Sequence, residues 1–133
     1  DRKSIIQSCK KQMDHFDVRP DNPLLRTSLF SGGNQQKLVV ARELERDPNL
    51  LVVGQPTRGV DIGAIEFIHR QIIAMRDAGK AVLLISVELD EILSLSDRIL
   101  VMFDGQIMGE ILAKDADERE IGLLMAGVRK EAA

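Results

Sequence analysis

A serine followed by two glycines could bind an anion in this chain. Ser31-Gly32-Gly33 stands directly before a helical pattern in which Leu38, Ala41 and Leu44 recur at a spacing of three. Ser31 can cap this helix, and the glycines would leave backbone N–H groups unobstructed at the positive end of the helix dipole. Phosphate groups commonly bind at such an end. The same residues would equally form an ordinary capped turn, so the motif alone leaves both interpretations open.

A short apolar segment follows this helix and predicts a buried strand. The segment covers residues 49–54, and Pro48 and Pro56 bound it on either side. Its last residue, Gly54, is followed by Gln55, so the strand leads into its loop without a charged group.

A second helix and a second strand follow the first strand. Asp61 can cap the helix, and Gly79 fits the position after its last residue. The residues predicted for its buried face are Ile62, Ile65, Ile68, Ile72 and Met75. Residues 81–85 then form an apolar strand, which predicts a parallel βαβ unit covered on both faces. Ligands bind beyond the carboxyl ends of such strands, where Gly54-Gln55 and Ser86-Val87 stand.

The flanking segments predict further helices and a hairpin. Apolar residues from Ile5 to Phe16 recur at helical spacing and predict a helix over about residues 2–16, followed by an extended connector with two prolines. Residues 88–95 predict a short helix. Asp104-Gly105 between two apolar runs predicts a β-hairpin. A capping box from Asp117 to Glu120 predicts a last helix, and the charged tail from Arg129 is expected to be frayed.

Composition excludes several classes of protein. The 133 residues, 44% of them hydrophobic and 29% charged, are typical of one globular domain or less. A net charge of −3 and an aromatic content of 3% disfavour nucleic-acid binding. The single Cys9 forms no internal disulfide, which fits a reducing compartment. No apolar stretch approaches the roughly 20 residues that span a bilayer.

The order and spacing of these segments resemble the ATP-binding subunit of ABC transporters. Residues 30–37 are similar to the signature motif, residues 50–55 occupy the place of the Walker B strand, and residues 59–61 are similar to the D-loop. The resemblance implies an α/β fold, the second half of a P-loop (RecA-like) ABC ATPase domain with a parallel βαβ core, a C-terminal β-hairpin and a helix. It implies that residues 1–27 are the end of the helical subdomain and a connector, and that residues 28–133 are the C-terminal half of the ATPase core.

Three positions that this family uses for hydrolysis hold other residue types here. The Walker B strand of the family ends in Asp-Glu, which hold Mg²⁺ and polarise the attacking water, but Gly54 and Gln55 stand there. Val87 stands where the family has its switch histidine. No catalytic residue is therefore intact. The pattern resembles the second, degenerate nucleotide-binding domain of tandem ATPases in simple-sugar and nucleoside importers of bacteria.

The resemblance also implies how the remaining motif works. Ser31, Gly32 and Gly33 would close over the γ-phosphate of ATP held by a partner nucleotide-binding domain. Gln35 would lie at the edge of that contact, and Asp61 would reach across toward the partner site. Mg²⁺ would be bound at the site formed with the partner domain, and this chain would supply no metal ligand. The implied role is half of an ATP-driven import motor, peripheral to the cytoplasmic face of the cell membrane. Its partners would be permease subunits and, indirectly, an extracellular solute-binding protein.

No phosphate-cradling Gly-x-x-x-x-Gly-Lys-Ser/Thr loop occurs in the sequence, so the resemblance places it before residue 1. The chain alone is therefore expected to be inactive, and its uncovered strands are expected to make it prone to self-association. Two other classes stay open. One is a structural dimerisation module without a nucleotide role, which the near-intact signature disfavours. The other is an ABC-type ATPase acting on nucleic acid, which the charge and the scarce aromatic residues disfavour.

Overall fold

The computed structural model describes residues 1–128, which fold as two compact units, residues 1–85 and residues 86–128. The first unit contains, in order, α1 (Arg2–His15), α2 (Gly32–Leu44), β1 (Leu50–Gly54), α3 (Ile62–Asp77) and β2 (Ala81–Ile85). The second contains α4 (Leu89–Leu95), β3 (Arg98–Phe103), β4 (Gln106–Leu112) and α5 (Glu118–Met125). Short 3-10 turns cover Thr27–Leu29 and Ala113–Asp115. The predicted order of helices and strands is confirmed, and the tail from Arg129 lies outside the described residues.

The first unit is built on the predicted parallel βαβ arrangement. Strands β1 and β2 pair in parallel, with Leu50 opposite Ala81 and Gly54 opposite Ile85. Asp61 caps α3 by accepting a hydrogen bond from the N–H of Ala64 at 2.9 Å. Gly79, at φ +80°, follows the end of α3, which only a residue tolerant of the left-handed region can do easily. Both caps were predicted from the sequence.

The buried face of α3 differs from the predicted one. Its buried residues are Ala64, Phe67, Ile68 and Ile72. Ile62 was predicted to lie on that face but is 76% exposed. The reason is that the first turn of α3 approaches α2 through the small Ala64, so the larger Ile62 points away from the contact.

The sheet of the first unit is covered on one face. Along both strands, half-buried residues alternate with exposed ones, although burial on both faces was predicted. The exposed apolar residues are Leu50, Val52, Leu83 and Ile85. No element among residues 1–85 packs on this face. The expected self-association of the chain stays a prediction.

The second unit is a hairpin packed against its helices. β3 and β4 pair antiparallel, with an irregularity between Val101 and Met102. Asp104 and Gly105 both have positive φ, as a two-residue turn of the predicted type requires. The core of this unit consists of Ile99, Val101, Ile121 and Leu124. Asp117 caps α5 by accepting a hydrogen bond from the N–H of Glu120 at 2.9 Å.

A buried lysine joins three segments of the first unit. Lys37 is only 8% exposed, on the inner side of α2. Its Nζ donates hydrogen bonds to the backbone oxygen and to Oδ2 of Asp17, both at 3.0 Å, and it lies 4.9 Å from the centre of the Phe67 ring. The hydrogen bond from Lys37 lowers the pKa of Asp17 below its ordinary value. The connector after α1 is thereby held to both α2 and α3.

We expect Lys37→Met to loosen this junction. Methionine keeps most of the apolar stem but removes the ammonium, at a cost of about 1 kcal/mol because Asp17 is itself solvated. The folded-state pKa of Asp17 is depressed, so its contribution is present at neutral pH, begins to decline as the pH falls below about 4, and is lost as the pH falls through the lowered pKa. The urea midpoint, followed by circular dichroism, should differ from wild type at pH 7 and by less at pH 3.

Lys3→Met is the matched control, because Lys3 is exposed and its side chain makes no ion pair with any of residues 1–128. It should leave the midpoint unchanged at both pH values. If Lys37→Met changes the urea midpoint equally at pH 7 and pH 3, the ion pair with Asp17 contributes nothing to stability.

Candidate functional site

The exposed N-terminus of α2 contains the first group of predicted site residues. Ser31 is the N-cap, with an extended backbone (φ −61°, ψ 158°). Its Oγ accepts hydrogen bonds from the backbone N–H and from the side-chain Nδ2 of Asn34, at 3.3 and 2.9 Å. The first N–H groups of a helix have no partner within the helix, so the exposed Gly32 presents a donor beside this hydroxyl, whereas Gly33 is buried. This end of α2 can therefore bind an anion.

The first turn of α2 is in close contact with the first turn of α3. A methyl group placed on Gly33 would lie 2.7 Å from Oδ2 of Asp61 and 2.9 Å from the methyl carbon of Ala64. A methyl group on Gly32 would lie 3.3 Å from the backbone oxygen of Gly59. The structure thus brings together the segments that resemble the signature and the D-loop. It also gives Gly33 a packing role that the sequence did not indicate.

Asp61 acts within the first unit as a helix cap. Its Oδ1 accepts the hydrogen bond from Ala64, while its Oδ2 lies toward Gly33. The residue is exposed, so its carboxylate can still meet another molecule. Its predicted reach across an interface stays a prediction.

Gln35 supports the turn that precedes α2. Its Nε2 donates a hydrogen bond to the backbone oxygen of Phe30 at 2.9 Å, and Phe30 itself is buried. This contact closes the chain in front of Ser31. Whether Gln35 also lies at the edge of a nucleotide contact stays a prediction.

The two residues at the end of β1 differ in how they are held. A methyl group on Gly54 would meet no atom within 4 Å, so the position has room for a side chain. Gln55 has a left-handed backbone (φ +51°) and donates its N–H to the backbone oxygen of Ile85 at 2.8 Å. Its buried Oε1 accepts no hydrogen bond from any described residue. Strained backbone and unpaired polar atoms of this kind are frequent at functional sites.

Neither residue suits a resident divalent cation. Gly54 has no side-chain ligand, and Gln55 offers one neutral amide oxygen where magnesium sites use carboxylates. Within residues 1–128, no group of three or more His, Cys, Asp and Glu side chains could hold a metal ion. The end of β1 therefore does not fit Mg²⁺.

The third predicted position lies in the second unit. Val87 is 64% exposed and has no group that could transfer a proton. The preceding Ser86 accepts a hydrogen bond at Oγ from the N–H of Glu88 at 3.0 Å, just before α4 begins. The segment thus forms the turn that leads into α4. The role of Val87 as a switch position stays a prediction.

Sequence reasoning missed two residues of this site, Asn34 and Lys37. Asn34 bonds Ser31 and also accepts a hydrogen bond at Oδ1 from the N–H of Arg19 at 2.7 Å. Lys37 lies on the buried line of α2 with Gly33 and Ala41, whereas the predicted face was Leu38, Ala41 and Leu44. The spacing of four from Gly33 through Lys37 to Ala41 was the available signal, but a lysine normally indicates the solvent face.

No protein-family model matches the chain. It is 52% identical over 127 residues to the nucleoside import ATP-binding protein NupA of Lactococcus lactis, covering 96% of this chain and 25% of that relative. It is 50% identical over 129 residues to the guanosine import ATP-binding protein NupO of Bacillus subtilis, again covering 96% and 25%. The chain thus spans about a quarter of the length of these curated relatives.

Solved structures share its fold. A nucleotide-free ATP-binding cassette from an ABC transporter is 26% identical and superposes with a TM-score of 0.69, covering 90% of this chain and 46% of that one. A dimeric bacterial ABC transporter cassette, 23% identical, has a TM-score of 0.68 and covers 84% and 47%. Among residues 1–128, the helices are too short or too polar to cross a membrane.

We expect Gly33→Ala to destabilise the first unit. Its methyl group would overlap Asp61 and Ala64, and overpacking of this kind costs about 1–3 kcal/mol. Gly54→Ala is the control, because its methyl group meets nothing. Adding Asp61→Ser, which keeps a capping oxygen, should recover part of the loss in the urea midpoint. Equal urea midpoints for Gly33→Ala and Gly54→Ala would mean that the contact between α2 and α3 does not limit the size of residue 33.

Proposed function

We propose that this chain, which belongs to the ATP-binding proteins of ABC transporters, contributes one half of a composite ATP site in an importer. The solute would be sugar-like or nucleoside-like, since the relatives are named as import proteins for such solutes. The observation that carries the proposal is the N-terminus of α2, where the exposed Ser31 hydroxyl stands beside the first N–H groups of the helix.

In this proposal, Ser31, Gly32 and Gly33 bind the γ-phosphate of ATP whose Walker motifs belong to a partner domain. Hydrogen-bond donors and the positive end of the helix dipole stabilise the charge on the phosphate. Asp61 stands beside Gly33, so the D-loop segment and the signature segment are in contact within this chain. Gln35 keeps the entry turn closed through its bond to Phe30.

The chain's own hydrolytic site is degenerate in this proposal. Gly54 provides no ligand for Mg²⁺, Gln55 is a poor base, and Val87 cannot transfer a proton. Mg²⁺ bound with ATP therefore belongs to the site whose Walker residues lie in the partner domain. The two ATP sites of the pair would be unequal, and only the partner's site would hydrolyse ATP at a useful rate.

The partners would be a second nucleotide-binding domain and the transmembrane permease subunits, with an extracellular solute-binding protein acting indirectly. The dimeric cassette with a similar fold supports pairing between domains. The subunit would then be peripheral to the cytoplasmic face of the cell membrane.

Two alternatives make different predictions. A purely structural dimerisation module would pair without nucleotide, whereas the proposed ATPase should pair only in its presence. An ATPase acting on nucleic acid would bind it with an affinity that falls steeply with salt. The net charge of −3 and the scarcity of aromatic residues favour neither phosphate-backbone nor base contacts.

The isolated chain should bind ATP weakly, because α2 offers only a few donors and the sequence contains no phosphate-cradling loop. We expect titration calorimetry to give a dissociation constant weaker than about 1 μM, which corresponds to about −8 kcal/mol. A tighter constant would contradict the composite site.

In the full-length subunit, Ser31→Arg should abolish transport, because the long side chain would occupy the phosphate contact. Ser28→Arg makes the same change on an exposed 3-10 turn outside the site and should preserve transport. Gly33→Asp should also abolish transport, but it would clash with Asp61 as well. Wild-type ATPase rates in Ser31→Arg would mean that the signature is vestigial.

Restoring the three replaced residues should raise hydrolysis at the degenerate site. The open space at Gly54 accepts an aspartate, so Gly54→Asp, Gln55→Glu and Val87→His can be combined. A positioned acid or base typically contributes about 10²–10⁴-fold. Gly54→Asp alone should not raise the ATPase rate of the full-length subunit, and Gln55→Ala should lower it little. An increase from Gly54→Asp alone, or a large loss from Gln55→Ala, would contradict the assignment.

A further inference from the structure

The side-chain amide of Asn34 links the connector after α1 to the hydroxyl of Ser31. Its Oδ1 accepts a hydrogen bond from the backbone N–H of Arg19 at 2.7 Å. Its Nδ2 donates a hydrogen bond to Ser31 Oγ at 2.9 Å. One amide thus joins a residue 15 positions earlier in the chain to the cap of α2.

The orientation of this amide follows from the chemistry of its partners. A backbone N–H can only donate, so the oxygen of Asn34 must face Arg19 and the nitrogen must face Ser31. The connector itself is held in place, because Val18 is fully buried and Asp17 is bound by Lys37. The Asn34 amide is therefore not free to turn over.

This orientation determines what the Ser31 hydroxyl can do. A serine oxygen has two lone pairs and one hydrogen to donate. Both lone pairs accept hydrogen bonds from Asn34, one from its backbone and one from its side chain. Within residues 1–128, the hydroxyl hydrogen of Ser31 has no acceptor, and the residue is exposed. Its hydrogen is left to point away from the helix.

We infer that Asn34 is a positioning residue that makes Ser31 an obligate hydrogen-bond donor toward the phosphate. This inference rests on the proposed function, in which Ser31 contacts the γ-phosphate. Asn34 acts through Ser31 and does not itself touch the nucleotide. An anion binds more favourably to this arrangement, because the hydroxyl is already oriented before the anion arrives.

The test compares variants of the full-length subunit by their ATPase turnover. Ser31→Ala removes a donor to a charged group, and we expect a loss of roughly 10- to 100-fold. Asn34→Ala keeps the backbone N–H on one lone pair of Ser31 and leaves the hydroxyl hydrogen two staggered positions, which costs up to about twofold. In a Ser31→Ala background, Asn34→Ala should have no further effect, because its target is gone.

Asn34→Asp separates positioning from general stability. An aspartate cannot donate to Ser31, so the hydroxyl would turn and donate to the carboxylate. Turnover should fall to about the level of Ser31→Ala, although an acid in the first turn of a helix raises stability. The thermal midpoint should therefore stay the same or increase. Gln36→Glu places the same charge two positions later and measures the electrostatic effect alone.

The outcomes distinguish the inference from the proposed function. Wild-type turnover in Ser31→Ala would overturn the proposed function. If Ser31→Ala is impaired but Asn34→Ala lowers turnover by the same factor in both backgrounds, the inference is overturned and the proposed function stands. The inference is also overturned if Asn34→Asp loses no more turnover than Gln36→Glu.

Discussion

The close contact between the first turns of α2 and α3 is the constraint on which the candidate site depends. It leaves no room for a side chain at position 33, since even a methyl group would overlap Asp61 and Ala64. On the other side, Asn34 and Lys37 attach the same end of α2 to the connector after α1. With both sides held, Ser31 and Gly32 remain exposed at this end of α2. A rigid array of donors is better suited to an anion than a mobile loop, because little order has to be gained on binding.

Much of the fold followed from local sequence signals. Caps at Ser31 and Asp61, the turn at Asp104-Gly105 and the apolar strands each have a short-range physical cause, and each is confirmed. The resemblance to ABC ATP-binding proteins is confirmed too, by relatives that are half identical over nearly the whole chain and by the cassette fold of solved structures. These signals work because capping, turn chemistry and strand patterning are decided within a few residues.

What the sequence could not reveal depends on contacts between distant segments. The burial of Lys37 depends on Asp17 and Phe67, which lie 20 residues before it and a helix away. The role of Asn34 depends on Arg19, and the exposure of Ile62 depends on the approach of Ala64 to Gly33. None of these partners is apparent from spacing along a single element. The functional roles of Ser31, Gln55 and Val87 stay predictions, since they concern contacts with groups beyond the described residues. The boundary at residues 27/28 also stays a prediction.

The central claim is an asymmetry, in which this chain completes its partner's ATP site while its own site lacks the groups for hydrolysis. A single-turnover measurement on the unmodified full-length subunit, with nucleotide bound at both sites, tests it most directly. The quantity to count is the number of ATP molecules hydrolysed per subunit in the fast phase. The account predicts one, with the second nucleotide remaining as ATP. Two molecules hydrolysed at similar rates would contradict it.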